Sequence, residues 1–346
     1  MKTLPAMIAL LLLAPVAGAQ DVARMDKVVQ AYAPERFMGT VLVARGSDVL
    51  FSKAYGSANL EWDTPNTPTT KFRIGSLTKQ FTAASILLLE ERGKLKVEDR
   101  VNTYLPEAPP AWDAMTIVHL LTHTSGIPNF TAFPDYATME RFSTPVEKIV
   151  ERFRDKPLDF PSGEKMSYSN SGYIVLGQII ERLSGGTYEA FVRDNLFTPV
   201  GMKDSGYDSN TAVIAHRASG YTRGPQGVAN AGFVHMSVPH AAGALYSTTG
   251  DLLRWNVALH GGKVLSPASL QKMTTPFKNN YAFGLNVRTV NGVKEISHGG
   301  GIQGFNTWLS YYPEGRLTVV VLSNLNGSEP NEIAGKLGTL LHANGK

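Results

Sequence analysis

The hydrophobic period changes twice along the chain, and this change constrains the fold more than any other feature. Strand-like patterns stand near the start, in GTVLVARG and DVLFSKAYG, and return after residue 280, in YAFGLNVRTV, KEISHGG, NTWLSYYPEG and LTVVVLSNL. Between about residues 95 and 245, helical patterns alternate with proline-bearing loops. The sequence therefore predicts an α/β (α+β) fold, in which an antiparallel sheet flanked by helices carries an inserted, mostly helical domain. We expect the sheet part to span about residues 20–95 and 246–346, and the helical part about residues 96–245.

The first 19 residues are expected to be a leader rather than a part of the fold. Lys2 precedes the apolar run MIALLLLAPV, and Ala17-Gly18-Ala19 offers small residues for cleavage after Ala19. A membrane anchor would need about 20 apolar residues in succession, which is more than this run contains. We therefore expect a mature chain from Gln20 onward that is secreted or periplasmic and not inserted in a membrane. The chain has no Cys, so a hydrophobic core rather than disulfides must stabilise it.

The charge of the chain gives no sign of a polyanionic partner. The net charge is +4 at pH 7, and the 33 Lys and Arg residues are scattered rather than clustered. A nucleic-acid site would need a basic patch or stripe. We expect a small molecule or a peptide as the partner and no nucleic acid, and the sequence carries no information on the oligomeric state.

A Ser followed three residues later by Lys can be a nucleophile with its base, and this pattern occurs three times. The three pairs are Ser76 and Lys79, Ser162 and Lys165, and Ser269 and Lys272. The second pair lies in a turn made by Pro161 and Gly163, and the third on a short helix of mixed polarity with an expected solvent-exposed face. The first pair alone opens a stretch that is apolar nearly all round in its middle, SLTKQFTAASILLLEERGKL, which predicts a buried helix.

Lys79 favours a catalytic interpretation of the first pair. A Ser that only caps a helix is usually followed three residues later by Glu or Gln, because a negative side chain suits the positive helix end. Lys79 has the opposite charge and enters the buried end of the helix, so desolvation should lower its pKa toward the neutral base form. Residues three apart share one helix face, so the amine can reach Ser76. The sequence thus offers Ser76 as a nucleophile, with a simple helix cap as the alternative.

The stretch MSYSNSGYIVLGQII supplies two candidate partners, Tyr168 and Asn170, just before an apolar helix. Side chains two residues apart point the same way only in extended or loop backbone, so a loop at the helix start could direct both into a cleft. The alternative is that Tyr168 is a buried ring and Asn170 the helix cap. The residues alone leave both interpretations open.

The stretch EISHGGGIQGF places His298 on a strand and follows it with glycines whose backbone N–H groups a substrate could approach. The glycines at 299, 301 and 304 match G-x-G-x-x-G, but a dinucleotide site needs a helix next, and FNTWLSYY predicts a strand. HLLTH at residues 119–123 lacks the Glu of a zinc-binding helix. We expect no cofactor and no metal.

The trio SLTK, YSN and HGG, in this order, resembles the signature of the penicillin-recognising serine hydrolases. The chain is similar to the group near class C β-lactamases, D-Ala-D-Ala carboxypeptidases, D-aminopeptidases and family VIII esterases. The stretches HLLTHTSGI, PSGEKMSYSNSGYIVLGQIIERLSG, GALYSTTGDLLRW and HGGGIQGFNTW extend the similarity over about residues 30–345. The resemblance implies a β-lactamase/transpeptidase-like fold and a serine hydrolase that works through an acyl-enzyme.

The resemblance also implies a role for each candidate residue. Ser76 would be the acylated nucleophile, and Lys79 its neighbouring base or proton shuttle. Tyr168 would act as general acid or base, and nearby cations would favour its phenolate. Asn170 would position Lys79 and the substrate amide.

On the strand side, the resemblance implies that His298 and Gly300 orient the substrate. The backbone N–H groups of Ser76 and Gly301 would form the oxyanion hole. His298 stands where many relatives carry Lys. Since His is charged only part of the time near pH 7, it would bind a substrate carboxylate less strongly, and fast β-lactam hydrolysis is not the expected activity.

The expected function is that of an exported serine hydrolase acting on D-amino-acid peptides of the cell-wall type or on small esters. Two alternatives remain. One is a penicillin-binding sensor or cell-wall binding module that is acylated but deacylates poorly. The other is a true β-lactamase of the class C kind.

Overall fold

A computed structural model describes residues 18–290 and 292–343 of the chain. The expected leader therefore lies outside the described residues as far as position 17. The strands are, in chain order, β1 Gly39–Arg45, β2 Asp48–Tyr55, β3 Ser57–Asn59, β4 Thr64–Pro65, β5 Phe72–Arg73, β6 Gly206–Tyr207, β7 Tyr221–Gly224, β8 Gly227–Asn230, β9 Leu245–Ser247, β10 Asn286–Val290, β11 Val293–Ile302, β12 Phe305–Tyr312, β13 Leu317–Ser323 and β14 Leu325–Asn326.

Most α-helices lie in the middle of the chain, and one more lies near each end. They are α1 Ala19–Gln30, α2 Thr78–Glu91, α3 Val101–Tyr104, α4 Ile117–Leu121, α5 Tyr136–Met139, α6 Val146–Arg154, α7 Asn170–Ser184, α8 Tyr188–Val192, α9 Thr198–Val200, α10 His240–Gly243, α11 Thr249–His260, α12 Pro267–Thr274 and α13 Pro330–Ala343. A single π turn, Arg193–Phe197, joins α8 to α9. Short 3₁₀ turns cover Gly75–Leu77, Pro110–Trp112, Phe130–Ala132 and Pro313–Gly315.

The main sheet joins the two ends of the chain, as the hydrophobic periods predict. Its six strands follow the order β10-β11-β12-β13-β1-β2, and every neighbouring pair is antiparallel. The first strand of the chain pairs with the last long one, with Gly39 opposite Ser323. The fold is thus a mixed one, an antiparallel sheet flanked by helices.

Both faces of this sheet are covered, which explains why β1 and β13 are apolar at nearly every position. On β1, Val41 and Val43 pack with α1 and α13 in one hydrophobic cluster. Leu42 points the other way and joins the larger core formed by the central helices. Strands buried on both faces carry continuous apolar runs, because alternate side chains enter different cores.

Helix α2 lies in the middle of the larger core. All its residues from Thr78 to Leu89 are buried, and α7, α8, α10 and α12 pack around it. The prediction of a helix that is buried all round is therefore confirmed. Its first turn, which carries Lys79, comes directly after the 3₁₀ turn Gly75–Leu77 that contacts β11 and β12.

The expectation of helix and loop alone between residues 95 and 245 is wrong in one segment. Residues 206–230 contain β6, β7 and β8, which belong to two small three-stranded sheets, β5-β9-β6 and β14-β7-β8. The β7–β8 hairpin is largely exposed, and β7 pairs in parallel with β14 at Leu325 and Asn326. A short polar hairpin whose partner lies about a hundred residues away leaves no alternating apolar pattern in the sequence.

Candidate active site

The turn that carries Ser76 is held on two sides by long-range hydrogen bonds. The Ile74 N–H donates to the Leu245 carbonyl at 2.9 Å, and Thr307 Oγ1 donates to the Ile74 carbonyl at 2.9 Å. Ser76 itself is half-buried at the wall of a cavity of about 390 Å³. The cavity is lined by Gly75, Ser76, Phe130, Thr131, Tyr136, Asn170, Pro239, Ala242, Gly243, Gly301, Ile302, Gln303 and Asn326.

Two glycines allow β11 to approach this turn closely. Gly75 adopts a φ of +51°, and a Cβ there would lie 2.9 Å from the Gly301 nitrogen. A Cβ on Gly300 would lie 2.0 Å from the Ile74 carbonyl oxygen, so only glycine fits at that position. The backbone of Gly301 consequently lies beside Ser76, and both line the same cavity. This arrangement suits an oxyanion hole of two backbone N–H groups.

Lys79 is fully buried and makes three polar contacts through its Nζ atom. Nζ donates to Asn170 Oδ1 at 2.8 Å and to the Ala242 carbonyl at 2.8 Å, and it lies 3.0 Å from Ser76 Oγ. The orientation of the Asn170 amide is set in turn, because its Nδ2 donates to Thr131 Oγ1 at 3.2 Å. Three segments that are distant in sequence, around residues 76–79, 170 and 242, therefore meet at one amine.

The charge state of Lys79 follows from its burial. Desolvation lowers its pKa well below the usual value of a lysine, as the sequence predicts. A neutral amine has two N–H groups and one lone pair. Nζ has three oxygen neighbours, and Asn170 Oδ1 and the Ala242 carbonyl can only accept from it. In the neutral form of the amine, these two oxygens would take both N–H groups, and the lone pair would be left for the Ser76 hydroxyl.

Tyr168 contacts Ser76 as well, and it does so as a neutral phenol. Its side chain hydrogen bonds to Ser76, and Lys79 Nζ lies 4.9 Å from the centre of its ring. Although Tyr168 is 38% exposed, desolvation of the phenol raises its pKa above the ordinary value, and the hydrogen bond to Ser76 offsets this only in part. The expectation of a phenolate favoured by nearby cations is therefore wrong for the free enzyme. The reason is that desolvation of the phenol outweighs the effect of its neighbours.

His298 ends a chain of hydrogen bonds whose directions are fixed by their partners. The Ser169 N–H donates to His123 Nδ1 at 3.2 Å, so the proton of His123 is on Nε2, which donates to the Tyr281 hydroxyl at 3.1 Å. On the far side, His298 Nδ1–H donates to the Gly299 carbonyl at 2.6 Å. His298 Nε2 must then accept from the Tyr281 hydroxyl, at 2.9 Å. One tautomer of each histidine satisfies every contact.

This series of hydrogen bonds and the burial of the imidazole ring keep His298 uncharged. Burial lowers the pKa of His298 to about 4, although the hydrogen bond to the Gly299 carbonyl acts in the opposite direction. The expectation that His298 is charged part of the time near pH 7 is therefore wrong. An uncharged imidazole, 4% exposed and bonded at both nitrogens, supplies no cation for a substrate carboxylate.

The structure brings most of the predicted residues together. Ser76, Lys79, Tyr168 and Asn170 contact one another, and the His298 ring lies 6.4 Å from the Tyr168 ring, centre to centre. Asn170 is the first residue of α7, one place after its cap, so the interpretation of Asn170 as the cap is wrong. Gly300 is not among the residues lining the cavity; it packs against the Ser76 turn, and its role in substrate orientation stays a prediction.

The other two Ser–Lys pairs are structural. Ser162 Oγ donates to the Ser125 carbonyl at 2.8 Å, and Lys165 lies over the Phe160 ring. Lys272 pairs with Glu90 at 3.0 Å on the surface, as its solvent-exposed helix face predicts.

Sequence reasoning missed two residues that support His298 and three at the cavity rim. They are His123, Tyr281, Tyr136, Glu140 and Gln303. His123 is the last residue of HLLTH, the stretch considered for zinc, while His119 caps α4 by accepting from the Thr116 N–H. His123 has a φ of +57°, in the left-handed region that residues other than glycine seldom adopt. Nothing in the local sequence indicates this backbone conformation.

Two further observations concern the described residues only. Within 18–290 and 292–343, no group of three His, Cys, Asp or Glu side chains is arranged to hold a metal ion. In the same part of the chain, no helix is long and apolar enough to cross a membrane.

Fold and site together define a class: a serine hydrolase in which a turn between the sheet and the central helix places a serine beside a buried lysine. The chain belongs to the beta-lactamase family, since the family model described as Beta-lactamase matches residues 25–344. Penicillin-binding protein 4* of Bacillus subtilis (strain 168) is 33% identical to it over 311 residues, which cover 84% of this chain and 68% of the relative.

Solved structures show the same fold. A penicillin binding protein from Bacillus halodurans, 27% identical, superposes with a TM-score of 0.82 over 91% of this chain and 98% of that one. A D-amino acid amidase from Ochrobactrum anthropi SV3, 23% identical, superposes with a TM-score of 0.84 over 95% of this chain and all of the other. At that identity the second match bears on the fold alone.

Proposed function

We propose that this protein is an exported serine hydrolase that works through an acyl-enzyme on Ser76, with D-amino-acid peptides of the cell-wall type or small esters as substrates. The observation that carries the proposal is the contact between the fully buried Lys79 and Ser76. Lys79 Nζ lies 3.0 Å from Ser76 Oγ and 2.8 Å from two acceptor oxygens, and burial lowers the pKa of Lys79 toward the neutral base form. A serine with a neutral base already in place is ready for nucleophilic attack.

In the acylation step, Ser76 Oγ attacks the substrate carbonyl while Lys79 Nζ takes the hydroxyl proton. The carbonyl oxygen becomes negative and accepts hydrogen bonds from the backbone N–H groups of Ser76 and Gly301. Asn170 keeps the amine aligned, because its amide is bonded both to Nζ and to Thr131.

The leaving group then needs a proton, and Tyr168 is suited to give it. Its raised pKa means that it is protonated at neutral pH, and it lies within hydrogen-bond reach of Ser76. When the bond to the leaving group breaks, the phenol proton passes to the departing nitrogen or oxygen. The Lys79 ammonium formed in the first step returns a proton to Tyr168. For deacylation the same pair takes a proton from water and gives it back to Ser76 Oγ.

The cavity favours a small, uncharged reacting portion. A volume of about 390 Å³ lies at the lower end of small-molecule sites. The neutral His298 gives little support for a carboxylate beside the reacting bond, which both a β-lactam antibiotic and a D-Ala-D-Ala terminus carry. We therefore do not propose β-lactam turnover as the main activity, and among D-amino-acid substrates we favour those without a carboxylate at this place. The names of the Bacillus relatives nevertheless support a serine that β-lactams can acylate. Export is proposed from the leader pattern before Gln20.

The test is a kinetic panel on the mature protein from Gln20. It compares p-nitrophenyl acetate, D-alanine p-nitroanilide, a D-Ala-D-Ala peptide and a chromogenic cephalosporin, with mass spectrometry of the trapped acyl-enzyme. We expect turnover of an ester or a D-aminoacyl amide and an acyl group on Ser76. Ser76→Ala should abolish both, whereas Ser162→Ala, which alters a Ser–Lys pair outside the cavity, should abolish neither.

Three outcomes would contradict the proposal. Full activity in Ser76→Ala would remove the assigned nucleophile. One burst of product without turnover on every substrate would indicate a penicillin-binding sensor instead. Rapid turnover of the cephalosporin alone would indicate a β-lactamase.

A further inference from the structure

A second cavity lies beside the catalytic one and is lined by two arginines, Arg73 and Arg217. Its volume is about 420 Å³. Of the described residues, Gln303 alone lines both cavities, so the two are neighbours along the turn between β11 and β12. None of the described residues that line the second cavity is an Asp or a Glu. We call it the arginine cavity, because its lining carries positive charge only.

The two arginines share a single carboxylate. Arg73 Nε donates to Asp208 Oδ2 at 2.5 Å, and Arg217 Nη1 donates to Asp208 Oδ1. The Asp208 side chain is fully buried, whereas the side chains of Arg73 and Arg217 are 14% and 26% exposed. Within residues 18–290 and 292–343, neither arginine forms a second ion pair. Two guanidinium groups against one carboxylate leave one positive charge without a counter-charge.

Several N–H groups of these arginines have no acceptor in the part of the chain that the structure describes. Arg73 donates only through Nε, which leaves its Nη1 and Nη2 groups unused. Arg217 Nη1 also donates to the Ser209 carbonyl at 2.8 Å, which leaves the Nε and Nη2 groups of Arg217 unused. None of these nitrogens is among the fully buried polar atoms that lack a partner, so each is accessible from outside. An anion that enters the cavity therefore meets several N–H donors.

The arginines are held in place before any ligand arrives. Strands β5 and β6 both pair with β9, where Tyr246 stands opposite Arg73 on one side and Gly206 on the other. Asp208, which directly follows β6, accepts a further hydrogen bond from the Ser209 N–H at 2.7 Å. A fixed carboxylate thus orients both guanidinium groups, and ligand binding requires little loss of side-chain freedom.

Aromatic rings complete the lining of the arginine cavity. Phe305, the first residue of β12, packs against Arg73, whose guanidinium carbon lies 5.9 Å from the ring centre. Phe233 also lines the cavity and is 55% exposed. An inorganic ion would leave most of the cavity and the Phe233 ring in contact with water. An organic anion with an apolar part would cover this ring, which adds the free energy of apolar burial.

We propose that the arginine cavity is a binding site for small organic carboxylates whose apolar or aromatic part lies against Phe233. The planar guanidinium groups of Arg73 and Arg217 match the two oxygens of a carboxylate. The site is separate from the catalytic cavity, so a molecule bound there does not occupy the space beside Ser76. The inference goes beyond the proposed function and does not depend on it.

Affinity comparisons on the protein from Gln20 onward test the chemistry of the ligand. The probes are phenylacetate, phenethyl alcohol and inorganic phosphate, each studied by isothermal titration calorimetry. We expect phenylacetate to bind at least about tenfold more tightly than the alcohol, because only the carboxylate pairs with the arginines. It should also bind more tightly than phosphate, which has no apolar part. Equal binding of phenylacetate and the alcohol would overturn the proposal, and phosphate that binds as tightly as phenylacetate would overturn the role of Phe233.

Two arginine substitutions locate the site. Arg217→Gln should weaken phenylacetate binding at least about tenfold, since it removes one of the two guanidinium groups. Arg254→Gln is the matched control, because Arg254 also donates to a buried carboxylate, that of Asp251 at 2.7 Å, but does not line the cavity. It should leave the affinity unchanged. Unchanged binding in Arg217→Gln would contradict the assignment.

A second pair of variants leaves every ion pair intact, whereas Arg217→Gln also removes one partner of the buried Asp208. Gly232 lines the cavity, and a Cβ there would meet no atom within 4 Å. Gly232→Glu adds a negative charge beside the arginines, and Gly232→Gln adds a side chain of the same size without charge. We expect Gly232→Glu to bind phenylacetate at least about tenfold less tightly than Gly232→Gln. Equal affinities would overturn the proposal.

Competition with the catalytic cavity gives a further readout. Saturating phenylacetate should leave the KM for p-nitrophenyl acetate unchanged, because the two molecules occupy different cavities. Competitive inhibition would place the carboxylate beside Ser76 and overturn the proposal. If no substrate acylates Ser76, the proposed function fails, while the calorimetric comparisons still decide whether the arginine cavity binds a carboxylate.

Discussion

Replacing Tyr281 with Phe should test whether the hydrogen-bond chain behind the cavity holds His298 in one form. The Tyr281 hydroxyl links the two histidines by hydrogen bonds, 3.1 Å from His123 Nε2 and 2.9 Å from His298 Nε2. All three side chains are buried, with exposed fractions of 1% for His123 and Tyr281 and 4% for His298. Water cannot easily replace the lost hydroxyl in such a place.

The magnitude follows from the groups left without a partner. Tyr281→Phe leaves one N–H donor on His123 and one acceptor nitrogen on His298 without a hydrogen-bond partner. A buried polar group without a partner costs about 1–3 kcal/mol, so the free energy of unfolding should fall by about 3 kcal/mol in total. The hydroxyl also stabilises the neutral form of His298, so its removal should raise the pKa of His298 from about 4.

Tyr188→Phe is the matched control. Tyr188 is as buried as Tyr281, at 1% exposed, and its hydroxyl contacts Thr82 Oγ1 at 2.8 Å. Thr82 keeps a second partner, the Ala241 carbonyl at 2.7 Å, so the substitution leaves no buried polar group without a hydrogen bond. The control should lose only about 1 kcal/mol.

The assays are urea unfolding followed by circular dichroism, and ¹⁵N NMR of the imidazole nitrogens. In the wild type, His298 should show a protonated Nδ1 and an unprotonated Nε2 at neutral pH. Equal stability losses in Tyr281→Phe and Tyr188→Phe, together with unchanged His298 nitrogen signals, would refute the directions assigned to these hydrogen bonds.

Four other substitutions have outcomes that can be predicted from the structure. Gly300→Ala should lose acylation by p-nitrophenyl acetate and more than about 2 kcal/mol of stability, because its Cβ would lie 2.0 Å from a backbone oxygen. Gly335→Ala, on an open face of α13, should instead gain about 0.5–1 kcal/mol in urea unfolding. Asn170→Ala should lower kcat/KM about a hundredfold, since Lys79 loses an acceptor at 2.8 Å; a loss below threefold would contradict the assigned alignment. Burial lowers the pKa of His260 from 6.5 to about 4, so the unfolded chain binds the extra proton in this range and stability rises with pH across it. His260→Phe should flatten that rise, and an unchanged slope would contradict the lowered pKa.

Much of the fold could be predicted from local patterns. The continuous apolar, valine-rich runs in LTVVVLSNL and GTVLVARG predict strands, and a helix apolar all round predicts the central position of α2, because each pattern reflects which faces are buried. The hairpin of β7 and β8 could not be predicted in this way. It is short and exposed, so no face is apolar, and its pairing with β14 depends on a segment about a hundred residues away.

The same distinction, between what local patterns predict and what depends on distant contacts, applies to the candidate site. The proximity of Ser76 and Lys79, and the lowered pKa of Lys79, follow from helix spacing and burial alone. The charge states of Tyr168 and His298 were predicted wrongly, because each depends on neighbours that the local sequence does not show. Tyr168 would need a charged Lys79 to ionise, and His298 would need exposure to remain partly protonated.

The sequence by itself determined the periods of strand and helix, the order of the motifs and the pairing of a serine with a buried lysine one helical turn away. The tertiary structure alone decided which atoms surround that lysine and which groups close the cavity. Ala242 meets Lys79 across 163 residues, Tyr281 meets His123 across 158, and Gln303 meets Glu140 across 163. Such contacts arise when buried polar groups must find partners in a packed core, and neither hydrophobic period nor spacing records which partner each one finds.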